Sequence, residues 1–225
     1  MKMLFIRIAK TLALVLAAGL VIQTILLLLS GLAVRRANES LRQAGRPMTP
    51  EELIPPEIPD GENAAWLYVS AFDLLRTEGD AQSVLDLNEK YSFLRAVRDV
   101  AWDYFHHPER PADRAALEAL LQKEVIVDVL RLVEQGAARP QCRFELEYFR
   151  GSTLLVNHTH GLLTVNALLR AKALLEATRG EPENAWRTIE TLLKFAEALR
   201  TEPVILSQLA RFGQLDTTSE AIRKI

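Results

Sequence analysis

The chain has 225 residues, 49% of them hydrophobic and 25% charged, with a formal net charge of −2. All 29 Asp and Glu lie beyond residue 36, against 22 of the 27 Lys and Arg, so the long remainder carries seven excess negative charges. A polyanion-binding surface is excluded as its organising feature, and no nucleic-acid partner is expected. Cys142 is the single cysteine, which excludes an intrachain disulfide and leaves apolar burial to stabilise the fold.

Residues 1–10 form a basic flank with Lys2, Arg7 and Lys10. Residues 11–34, TLALVLAAGLVIQTILLLLSGLAV, hold no charge and stop at Arg35 and Arg36. At about 1.5 Å per residue, a helix of this length exceeds the roughly 30 Å hydrocarbon core of a bilayer. The apolar region of a signal peptide is shorter, about 7 to 15 residues, so the segment reads as a retained transmembrane signal-anchor contacting the lipid bilayer. Gly31-Leu32-Ala33 has the small-x-small form of a cleavage site, and cleavage would leave a secreted helical protein instead. Gln23 and Ser30, seven apart, suit a helix-pairing stripe, while lone polar groups are also tolerated in a span. Lys2, Arg7 and Lys10 nearly balance Arg35, Arg36, Arg42 and Arg46. The basic start favours a cytoplasmic amino terminus with the acidic domain outside.

Residues 35–60 read as a juxtamembrane stalk containing Pro47, Pro50, Pro55, Pro56 and Pro59. Fixed φ angles and missing amide hydrogens prevent a long helix in the proline-rich part. Thr49-Pro50-Glu51-Glu52 predicts one short helical turn, and Pro55 to Pro59 an extended spacer.

Residues 61–225 read as an all-α domain. Asp60 is the predicted cap of a helix burying Ala65, Trp66, Val69, Phe72, Leu74 and Leu75, with Gly79 as its stop. A second helix from about Val84 to Phe105 places Leu87, Tyr91, Leu94, Val97, Ala101 and Tyr104 on one face, widened by Trp102 and Phe105. Pro111 to Glu134 reads as one long helix stopped by Gly136. Residues 137–151 alternate weakly, but a lone strand has no sheet to join, so they read as an irregular connection across the helices. Ser152 or Thr153 opens the next helix, to about Thr178, with Leu155, His158, Leu162, Val165 and Leu169 inward. After the Gly180 turn, a helix from Glu183 to Leu199 carries Ala185, Ile189, Leu192, Ala196 and Leu199, supported by Trp186 and Leu193. Glu190 and Lys194 can pair four apart on its wet side. Pro203 starts a last helix with Ile205, Leu209 and Phe212 predicted to face inward. Leu215, Thr218, Ile222 and Ile225 still trace a stripe where the sequence stops, which leaves continuation beyond Ile225 as open as an end there.

The hairpin from Ala167 to Leu199, with Ala173, Gly180 and Ala185 at small-residue positions, resembles one unit of a tetratricopeptide-type repeat; no second copy follows near 34 residues. The stretches PDGENAA from Pro59, RPQCR ending at Arg143, the Gly180-Glu181 turn and RTEPVILSQL from Arg200 resemble uncharacterised bacterial proteins. Those have one amino-terminal span and a helical domain. The resemblance implies an amino-terminal transmembrane helix followed by an antiparallel helical-hairpin bundle or stack, and implies no activity.

Candidate chemistry is sparse. Cys142 with His158 or His160 could form a nucleophile and base of a membrane-tethered hydrolase, but no signature surrounds the thiol. His106 and His107 are adjacent, and His158 and His160 are two apart, spacings that share no helix face for a metal. Glu145 and Glu147 read as solvated acids beside Arg143 and Arg150. No catalytic, cofactor-binding or metal-binding residue is nominated. An anchor plus hairpins without chemical motifs predicts an interaction or scaffold protein with a protein partner.

Overall fold

The computed structural model describes residues 2–77, 92–154, 156 and 158–225, in two compact units, Met1–Leu53 and Ile54–Ile225. The described residues form nine α-helices and no β-strand.

In the first unit, α1 covers Lys2–Gln43 and α2 covers Pro50–Leu53. No glycine or proline interrupts the chain between Val34 and Gly45, which takes a left-handed conformation (φ 66°) and ends the helix. The Arg46 amide then donates back to the Leu41 carbonyl at 3.0 Å, closing the end. Helix α1 therefore carries the first part of the predicted stalk, Arg35 to Gln43. Within it, Gly19–Gln43 is long and apolar enough to cross a membrane, with a mean hydropathy of 1.6 and none of its residues buried; a signal sequence near an amino terminus meets the same criterion. Thr24 and Ser30 donate to the Leu20 and Leu27 carbonyls, so neither hydroxyl needs a partner outside the helix. The predicted turn at Pro50 is present, and the Met48 amide donates to the Glu52 carboxylate at 2.7 Å.

The second unit is an all-helical bundle. Its helices are α3 (Ala65–Thr77), α4 (Ser92–His106), α5 (Pro111–Leu121), α6 (Glu124–Ala137), α7 (Thr159–Thr178), α8 (Pro182–Glu197) and α9 (Ile205–Lys224). Helix α7 packs against α3, α4, α8 and α9, which makes it the centre of the unit. All-round burial follows from its sequence: Leu162, Val165, Leu168, Leu169, Ala171, Leu174 and Leu175 leave no continuous polar face. The three-residue turn Arg179–Glu181, with Gly180 at φ 78°, folds α8 back along it as an antiparallel hairpin. Lys172, Glu176 and Thr188 close a hydrogen-bonded triangle across that hairpin at 2.5 to 2.9 Å.

Helix α3 brings rings against glycine. A methyl group on Gly136 of α6 would collide with Tyr68, and one on Gly161 of α7 with Phe72. Both glycines lie inside or at the start of helices, where the missing side chain serves close packing rather than a turn. Gly136 accordingly does not stop its helix, which continues to Ala137.

Several expectations need correction. Asn63, not Asp60, caps α3: its Oδ1 accepts from the Ala65 amide at 3.1 Å. Trp66 and Val69 are exposed, and Tyr68 and Ala71 take the inward positions. The single helix expected from Pro111 to Glu134 is two, because Lys123 is extended (ψ 132°). Helix α7 begins at Thr159 rather than Ser152 or Thr153, after a 3₁₀ segment, Tyr148–Thr153, that reverses at Gly151. Trp186 is exposed at 55% and Leu193 at 39%, so they do not complete the inner face of α8. The expectations at Gly79, Val84, Leu87, Tyr91 and Leu155 lie outside the described residues.

Helix α9 departs furthest. Ile205, Leu206, Leu209 and Phe212 are 76%, 58%, 60% and 60% exposed, while Ser207, Gln214, Thr218 and Ala221 are buried. Apolar periodicity therefore locates this helix correctly and assigns its inner side wrongly.

Candidate functional site

The connection between α6 and α7 is irregular, as its lone alternating pattern predicts, and is pinned to the start of α3. Asn63 Oδ1 accepts from the Arg143 amide at 2.9 Å, its Nδ2 donates to the Arg143 carbonyl at 3.1 Å, and the Ala64 amide donates to the Gln141 carbonyl at 2.8 Å. Fixing that edge directs Phe144 inward. Its ring stacks on His158, with centroids 4.2 Å apart and planes 7° from parallel. His158, expected inward, is buried at the amino-terminal cap position of α7, and its Nε2 lies 3.4 Å from Glu202 Oε1.

Glu202 comes from the turn between α8 and α9. Gln208 shapes that turn by donating from Nε2 to the Leu199 and Glu202 carbonyls at 2.8 and 2.7 Å. Glu202 is 2% exposed, and neither its carboxylate oxygens nor His158 Nε2 has a hydrogen-bond partner. Its charge is felt around it. Burial first, and Glu202 second, push the Cys142 thiol well above its usual range. Burial and then Glu202 also raise Tyr148, against the opposing pull of Arg143.

This environment favours thiol over thiolate, the reverse of what a cysteine nucleophile needs. The cavities separate the same two residues. Cys142 lines a cleft of about 480 Å³ with Tyr68, Gly136, Pro140, Ala198 and Thr201. His158 lines another, of about 510 Å³, with Trp66, Phe72, Arg143 and Phe144. His160 is exposed on α7.

The remaining candidates are surface features. His106 hydrogen-bonds the Trp102 carbonyl through Nδ1 at 2.8 Å and stacks on its ring, while His107 faces Glu109 at 3.7 Å. Glu145 and Glu147 are exposed, and Glu147 pairs with Arg150 at 2.5 Å. Among the described residues, no three His, Cys, Asp or Glu side chains cluster to hold a metal.

A different place gathers groups that sequence reading missed. A groove of about 610 Å³ runs between α4, α7 and α9, walled by Trp102, Leu163 and Leu209. Asn166, Arg170 and Gln214 line it and are 5%, 3% and 2% exposed. Arg170 lies over the Phe105 ring, 4.5 Å from its centroid, and 3.6 Å from Glu220. The available signal was Asn166 and Arg170 four apart in TVNALLRAKALL, two polar residues on one face of a helix otherwise buried all round.

Comparison with family models, curated proteins and solved structures finds no match for this chain.

Proposed function

We propose that this chain is a membrane-anchored helical interaction protein. Residues 11–34 hold it in a bacterial cell membrane as a single-pass span, with the amino terminus cytoplasmic and the helical domain outside. The domain there holds a protein partner. The observation that carries the reading is the outward apolar face of α9: Ile205, Leu209 and Phe212 recur at four- and three-residue spacing and are each at least 60% exposed. Scattered apolar residues on a surface are ordinary, whereas several on one helix face mark an interaction site. The neighbouring chemistry supports binding over catalysis, because Cys142 and His158 open to different clefts. Length supports retention of the span, and the basic residues before it support the orientation.

The test is a photocrosslinking residue at position 212 in the full chain in intact membranes. A discrete protein adduct that disappears with Ile205→Asp is the expected result. Adducts of the same pattern from position 149, an exposed residue in the 3₁₀ segment, would contradict the reading. A reporter active only outside the cytoplasm, fused after Ile225, should be active and remain in the membrane fraction. An expressed but inactive reporter would reverse the orientation.

A further inference from the structure

Unsatisfied polar groups in a protein interior are few, and each costs stability. Several converge on the groove between α4, α7 and α9. Asn166 Nδ2, Arg170 Nε and both side-chain polar atoms of Gln214 lack a hydrogen-bond partner, and all three residues line the groove. Their positions are set by neighbours. The Thr217 hydroxyl lies 3.1 Å from Asn166 Oδ1 and 3.0 Å from the Gln214 carbonyl, and its one proton serves one of them at a time; the Asn166 nitrogen has no partner. Glu220 faces Arg170 through Nη1, which leaves Nε. The floor thus offers three nitrogen donors, one of them on a guanidinium, and one acceptor, Gln214 Oε1.

Arg98 and the exposed Asp99 also line the groove, one charge of each sign, so the floor atoms set the ligand class. Two donors and a buried cation match the two oxygens of a carboxylate. The single acceptor matches one N–H beside it. The walls, Trp102, Leu163 and Leu209, are 51%, 43% and 60% exposed and offer apolar contact to the rest of the molecule. Burial lowers the pKa of Arg170, with Glu220 only partly offsetting it, so an added anion there relieves a strained charge. A cleft of this volume falls in the roughly 300–1,000 Å³ range of small-ligand sites.

We propose that this groove binds an N-acyl amino acid carboxylate with an apolar side chain: Asn166, Arg170 and Gln214 Nε2 receive the carboxylate, Gln214 Oε1 accepts the amide N–H, and the apolar body lies against Trp102, Leu163 and Leu209. The floor atoms are shut off from water, so ligand entry requires the Gln214 side chain to re-aim. The same chemistry occurs in a free N-acyl amino acid and at the carboxyl terminus of a peptide. The assignment stands on the polar floor; Leu209 is shared with the outer face of α9, whereas Asn166, Arg170 and Gln214 are not.

The test is titration calorimetry on the full chain in detergent, with acetyl-leucine, acetyl-Ala-Leu and the carboxyl-terminal amide of each. The free acids are expected to bind and the amides to bind at least about tenfold more weakly, the loss of one charge-assisted contact. Gln214→Leu should weaken the acids by about the same factor while the chain stays folded. Leu163→Glu should weaken them and Leu163→Lys should not, a dependence on sign that a packing role would not produce. Tighter binding of acetyl-Ala-Leu than of acetyl-leucine would identify a peptide terminus as the source, and equal binding a free acid. Equal binding of acids and amides, no binding of either acid at millimolar concentration, or full binding by Gln214→Leu would each overturn the proposal.

Discussion

Helices α7 and α9 are both 20 residues long, neighbours in the same unit, and opposite in what they bury. Helix α7 buries Leu162, Val165, Leu168 and Leu169 almost completely, and its polar residues Asn166 and Arg170 are carried inside with them. In α9, Ser207, Gln214 and Thr218 are inside while Ile205, Leu206, Leu209 and Phe212 are outside. A helix is thus defined by periodicity, but which stripe turns inward depends on what its neighbours offer. Beside α9 the neighbour offers Asn166 and Arg170, and the Thr217 hydroxyl on α9 answers with its bond to Asn166. Polar residues of α7 draw the polar side of α9, and its apolar side is left exposed.

Unfolding experiments can sharpen the contrast. The largest effect belongs to Leu168→Ala in α7, which removes a fully buried side chain and should cost about 2–5 kcal/mol in denaturant unfolding of the purified chain. Gly161→Ala comes next, at about 1–3 kcal/mol, since the added methyl must displace the Phe72 ring; a lowered melting temperature checks it. Gln214→Leu moves the other way. It removes two buried polar atoms that have no partner and should raise stability by about 1 kcal/mol in the same assay. A loss of several kcal/mol from Gln214→Leu would break the comparison, because it would mean that the polar side of α9 holds the bundle together.

Much of the architecture was legible. The membrane-length helix follows from an uncharged run, and the α7–α8 hairpin from two periodic stripes around Gly180, with Ala185, Ile189, Leu192, Ala196 and Leu199 all buried as expected. The ion pair between Glu190 and Lys194, 2.9 Å, was equally local and equally readable. Readings failed where a distant partner decides. Asn63 takes the cap of α3 because the same carbonyl oxygen also receives the Arg143 amide, 80 residues away in the chain. Tyr68 turns inward where Gly136 leaves room for its ring, and sequence spacing shows no such vacancy. The Glu202–His158 contact joins a turn to a helix start, and nothing near either residue announces the other.

The most direct test of the outward face of α9 is the unfolding free energy of the Leu209→Asp, Phe212→Asp double variant, measured beside the unaltered chain in the same detergent. Both side chains are 60% exposed, so the account predicts a change within about 0.5 kcal/mol. A loss of several kcal/mol, the size seen when a charge is buried in a core, would show that these residues belong to the interior and that α9 offers no face to a partner.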